Sequence, residues 1–149
     1  MRIQDRFDAI KSCEKMARAG KAAAMDCYQR LRRGDSDIVR ADCGFTISDI
    51  WDCSQDLEKT YLIRVFAEFE VTLRDLWRNC ARRRTKPPVE TLVNKIASHY
   101  YVRTDVLNRA HAVREYRNSL IHGGLAIPVT LGAARKYLCE FLGHLPRQW

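Results

Sequence analysis

Apolar residues recur along most of this chain at spacings of three and four, the period of helices that bury one face, and nowhere in the strict alternation of a strand. Residues 3–31 carry Ile3, Phe7, Ile10, Met16, Ala23, Met25, Tyr28 and Leu31 among charges and alanines, which predicts a first long helix. Arg32-Arg33-Gly34-Asp35-Ser36-Asp37 ends it, and the stretch up to Gly44-Phe45 keeps no period and reads as an extended connection. Thr46, Ser48 or Asp49 then caps a second long helix. Its stripe is Ile50, Leu57, Tyr61, Val65, Phe69, Leu73, Leu76 and Cys80, and Pro87-Pro88 forbid its continuation. Residues 89–101 form a short third helix with Leu92, Val93, Ile96 and Tyr100 inward. Thr104-Asp105 is the expected cap of a fourth, whose buried stripe is Val106, Ala110, Val113 and Leu120. Pro128-Val129-Thr130 opens a last helix facing the core with Leu131, Ala134, Tyr137, Leu138, Phe141 and Leu142. The expectation is one all-α domain over 1–149, a bundle of about five helices in which two long antiparallel helices supply most of the core.

Length and composition agree with that picture, since 149 residues with 46% hydrophobic content can build a core without staples. The six cysteines are dispersed with no C-x-x-C and no partnered histidine spacing, so neither a disulfide framework nor a metal site is expected, and no cofactor is implied. The N-terminal residues lack a signal-peptide core and no run approaches the roughly 20 apolar residues of a membrane span. A cytoplasmic protein with no membrane association is expected. The net charge of +8 favours a polyanionic partner, and 19 of the 26 basic residues are Arg, whose planar fork matches phosphate better than Lys does.

Candidate chemistry gathers where the fourth helix ends, in Arg114-Glu115-Tyr116-Arg117-Asn118-Ser119-Leu120-Ile121-His122-Gly123-Gly124. Arg117 occupies the position that continues the apolar stripe between Val113 and Leu120, so its guanidinium must be paired, held at an interface, or used. Asn118 and His122 are four apart and share a face. Arg117 and His122 are five apart and point roughly 140° away from each other on an ideal helix. One helix therefore does not bring them together. Either the helix end turns, or Arg117 reaches round, or a second copy of the helix completes the site in a two-fold homodimer.

Arg117-Asn118-Ser119-Leu120-Ile121-His122 resembles the R-x4-6-H motif of the HEPN superfamily, and its setting strengthens the resemblance: a helix ends here, Asn follows the Arg, and Gly-Gly follows the His. The second helix, through Phe66-Ala67-Glu68-Phe69-Glu70-Val71-Thr72-Leu73-Arg74, is similar to the family's preceding core helix, and the likeness spans roughly residues 46–145. What the resemblance implies is a small helical domain that, like many members, cleaves RNA without metal, and a place in a toxin–antitoxin, phage-defence or RNA-processing system with an antitoxin or other protein partner. Carried onto this chain, Arg117 would bind phosphate and stabilise the transition state, His122 would move the proton, and Asn118 would support them.

Glu70, Arg74 and Arg114 are supporting candidates. Glu70 and Arg74 are four apart with the acid first, so they pair on one face, or else Glu70 faces the cleft and orients Arg117 or His122. Arg82-Arg83-Arg84, in a run without acids at the end of the second helix, reads either as a solvated helix terminus or as an RNA-binding patch. His99, His111 and His144 have no comparable setting. The alternative function is a non-catalytic helical binding or dimerisation module in which the same Arg and His hold an interface. DNA binding lacks a helix-turn-helix pattern with a basic recognition helix.

Overall fold

A computed structural model describes residues 2–34, 46–80 and 85–149, the side chain of Cys80 excepted. Among the described residues five helices follow one another: α1 (Ile3–Arg32), α2 (Ile47–Cys80), α3 (Val89–His99), α4 (Thr104–His122) and α5 (Leu131–Leu142). No strand is formed among the described residues, and the two ends of the chain meet in an isolated antiparallel bridge of Arg2 with Gln148, where the Ile3 amide donates to the Arg147 carbonyl at 3.1 Å.

The two long helices lie antiparallel. As α1 advances through Arg6, Cys13, Lys21, Met25 and Tyr28, its partners on α2 retreat through Asp75, Arg64, Glu58, Ser54 and Trp51. Only the first half of α1, with Ile3, Ile10, Cys13 and Ala17, enters the common core; Met16 is 37% exposed. Met16 and Ala23, read as part of the inward face, lie at the surface. The distal half of α1 outruns the rest of the bundle and has the start of α2 to pack on, through Tyr28 against Trp51 with ring centroids 5.1 Å apart.

Phe66, Phe69 and Phe141 centre the core, with Phe69 meeting the edge of Phe141 at 5.3 Å. The stripes of α3 (Leu92, Val93, Ile96), α4 (Val106, Ala110, Val113) and α5 (Leu131, Ala134, Leu138, Phe141, Leu142) close around them. Buried Thr72 and Ser54 satisfy their hydroxyls on the carbonyls of Glu68 and Trp51, each at 2.7 Å.

Caps follow the sequence at two helices and depart from it at a third. Thr46 and Asp49 cap α2 reciprocally: Thr46 Oγ1 accepts the Asp49 amide, and Asp49 accepts the Thr46 amide, which holds its carboxyl below the ordinary range. Thr130 Oγ1 accepts the Ala133 amide at the start of α5, where Glu58 of α2 also accepts the Leu131 amide at 3.1 Å. At α4 the expected Thr104-Asp105 cap is not formed. Arg103 is the N-cap without a side-chain bond, and Asp105 is drawn off by Arg103 and Arg109 at 2.9 and 3.4 Å.

Candidate functional site

Arg117 sits in the last turns of α4 where the apolar stripe meets α2. Its guanidinium carbon lies 5.8 Å from the centroid of the Phe66 ring, and Nη1 donates to Asn118 Oδ1 at 3.0 Å. Cation–π contact of this kind contributes about 0.5–2 kcal/mol depending on desolvation. Arg117 Nε is buried with no acceptor, and no carboxylate pairs with this guanidinium among the described residues. A half-buried cation is thus oriented by a ring and a neutral amide while its charge is left uncompensated.

The expected supporting residues are engaged elsewhere. Glu70 Oε1 accepts from Arg74 at 2.6 and 2.7 Å, and Arg74 also donates to the Pro87 carbonyl at 3.3 Å. Of the two readings of Glu70, the helix pair is the one formed. No hydrogen bond joins it to Arg117 or His122. Arg114 reaches α3 instead, donating to Glu90 at 2.8 Å with Glu115 at 3.7 Å. Beside it His111 Nε2 shares a 2.8 Å hydrogen bond with Asn94 Oδ1, and burial, then the Arg114 cation, pushes its imidazole below the ordinary value.

His122 closes α4 as an exposed residue and makes no hydrogen bond to Arg117 or Asn118. Gly123 and Gly124, at φ 76° and 119°, then take the chain out of the helix through conformations that side chains resist. The structure therefore brings Arg117, Asn118 and Phe66 together, and no hydrogen bond joins His122 to Arg117 or Asn118. Arg82, Arg83 and Arg84 lie outside the described residues.

Two features of this region escape a reading of periodicity. Phe66, next to Val65 of the α2 stripe, is fully buried, and its ring also supplies the face that holds Arg117. Leu125 and Ile127, directly after the glycines, are 106% and 85% exposed. The only sequence signal for the second is a run of apolar residues with no helical period.

Other groups carry less chemistry. The four described cysteines are free thiols, and burial pushes those of Cys13 and Cys139 upward, away from the thiolate a nucleophile needs. Among the described residues no three His, Cys, Asp or Glu side chains gather as a metal ion requires, and no helix is long and apolar enough to cross a membrane. Comparison with known proteins finds no protein family, curated protein or solved structure that matches this chain.

Proposed function

We propose that this protein is a metal-independent endoribonuclease of the HEPN type, acting as a homodimer on single-stranded RNA. The observation that carries the reading is Arg117: its guanidinium is held against Phe66 and by Asn118, yet has no anionic partner among the described residues. A phosphate supplies the missing anion, and the Arg fork binds its oxygens in two contacts. Arg117 falls where the motif resemblance expects the phosphate ligand, and exposed His122 falls where it expects the proton carrier.

RNA brings its own nucleophile, so the protein has protons to move and charge to stabilise. A neutral imidazole of His122 takes the proton of a 2′-hydroxyl, O2′ attacks the adjacent phosphorus, and the P–O5′ bond breaks. The departing O5′ collects a proton from a second, protonated His122 contributed by the other copy. Arg117 faces the charge that builds on the phosphoryl oxygens in the transition state. The products are a 2′,3′-cyclic phosphate and a 5′-hydroxyl. A protein partner such as an antitoxin, and a role in defence or growth control, belong to the same proposal through the resemblance.

The second reading is a non-catalytic binding module, favoured by the bare apolar residues beside His122. Incubation of single-stranded RNA and of DNA of the same sequence with the purified protein in EDTA separates the two. RNA cut and DNA intact supports the nuclease; RNA left whole at high enzyme concentration, or DNA cut equally, moves the assignment to the binding module.

A further inference from the structure

Beside the candidate site a cavity of about 200 Å³ opens between α2, α4 and the chain entering α5. Glu58, Lys59 and Leu62 line it from α2, at spacings that put them on one helical face, and Phe66 lies one turn further along that face. The ring that carries Arg117 is thus about 6 Å along α2 from Leu62. Tyr116, the residue before Arg117, lines the cavity from α4, and Pro128 and Val129 line it from the chain ahead of α5. The polar groups of the lining carry both signs. Glu58 Oε1 accepts the Leu131 amide at 3.1 Å, and Oε2 stands 3.5 Å from Lys21, a long contact that leaves the carboxylate free to accept more. Lys59 gives one ammonium hydrogen to Asp56 at 2.8 Å and keeps the others, with half of its side chain exposed.

We infer that this cavity receives a guanine base of the RNA strand whose phosphate Arg117 binds, which makes Glu58, Lys59 and Tyr116 determinants of where the strand is cut. A carboxylate in the lining repels a phosphate, so the occupant is the uncharged part of a nucleotide. Unpaired bases of single-stranded RNA are held by stacking on aromatic rings and by hydrogen bonds to their edges, and Tyr116 offers the ring. Guanine is the base whose edges match the two charges. Its N1–H and 2-amino group donate to a carboxylate, and its O6 and N7 accept from an ammonium. Adenine and cytosine present an amino group where guanine presents O6, and uracil lacks the 2-amino donor. The inference rests on the proposed function for the placing of the strand, and the test separates the two.

The test is fluorescence anisotropy of the full chain with labelled 2′-O-methyl RNA hexamers, which cannot be cut through the 2′-hydroxyl. Each is a run of uridines in which one internal position is guanosine, adenosine, cytidine or uridine. The guanosine hexamer is expected to bind at least about tenfold more tightly than the other three, the discrimination of one good edge contact. Inosine, which lacks the 2-amino group, and 7-deazaguanosine, which lacks N7, should each remove most of that preference. Lys59→Ala changes an exposed side chain, and in this variant guanosine and 7-deazaguanosine should bind alike. The ratio between hexamers is the readout, because a lost surface cation by itself weakens all of them in proportion. Four hexamers bound alike, none bound at all, or a preference that Lys59→Ala and both base analogues leave intact overturns the inference. Guanosine monophosphate bound as tightly as the hexamer also overturns it, by making a free nucleotide the ligand. Unmodified hexamers incubated with the protein in EDTA keep the two proposals apart. A guanosine preference in binding without cleavage retains the pocket and rejects the nuclease, and cleavage indifferent to guanosine does the reverse.

Discussion

Arg117 is the residue on which the proposed chemistry turns, and its environment defines what substitutions should do. Arg117→Lys keeps the charge and loses both the fork and the flat stacking group, so cleavage should fall strongly while the thermal midpoint changes little. Phe66→Leu removes three carbons from a fully buried position, so stability should fall by roughly 1–3 kcal/mol. The guanidinium then loses its support, and RNA cleavage should fall more than stability does. A variant at 66 that cleaves as wild type while retaining its fold would remove the ring from the site. Side-chain roles are half readable from the sequence. That Arg117 interrupts an apolar stripe is visible from spacing alone, because the helical period assigns its direction. That Arg74 takes Glu70, leaving Arg117 without a carboxylate, is not visible, since the i,i+4 pair and the cross-helix contact are both open to an unfolded chain.

Between the helices, one connection carries strain that a substitution can expose. Tyr101 follows α3 with φ 53°, and the Val102 amide bonds the Ala97 carbonyl at 2.9 Å, the arrangement in which glycine usually sits. A left-handed side chain costs roughly 1–2 kcal/mol, and this ring is 90% exposed and returns nothing in packing. Tyr101→Gly should therefore raise the unfolding free energy by roughly 0.5–1 kcal/mol after the flexibility glycine adds to the unfolded chain; a loss of stability of that size would contradict the reading. Across α3 and α4, His111 is one group that links folding to pH. Burial lowers its folded value, so the unfolded chain takes up a proton that the folded chain refuses. The stability from the neutral ring is complete above the unfolded value of about 6.5 and is lost as pH falls through it toward the folded value. His111→Gln should flatten the dependence of the urea midpoint between about pH 7.5 and 5.5, and equal slopes in the two proteins would deny His111 that part. Helix identity and facing are legible here because period and proline punctuation agree. The α4 cap is not, since Thr104 and Asp105 carry the right groups and only the nearby arginines divert them.

For the whole molecule, the all-helical bundle can be foreseen because every long segment carries the same period and none alternates. The bare patch after His122 cannot. Composition marks Gly123 to Val129 as apolar, but whether such a stretch is covered depends on packing across the chain, and here the bundle leaves it open. With net charge +8, RNA affinity should fall steeply with salt. Neutralising Arg82, Arg83 and Arg84 together should lower the slope by roughly 0.7–0.9 for each phosphate no longer neutralised, and an unchanged slope would leave that run without a part in RNA binding. Whether Arg117 and His122 cleave RNA through its own 2′-hydroxyl is decided by the chemistry of the ends. An RNA oligonucleotide cut in EDTA by the wild-type protein should carry a 2′,3′-cyclic phosphate and a 5′-hydroxyl, and a single 2′-deoxy sugar at the cleaved position should block that cut. His122→Ala should reduce the rate by on the order of 10²–10⁴ with the fold intact. Ends bearing a 5′-phosphate, cleavage past the deoxy sugar, or full activity in folded His122→Ala would contradict it.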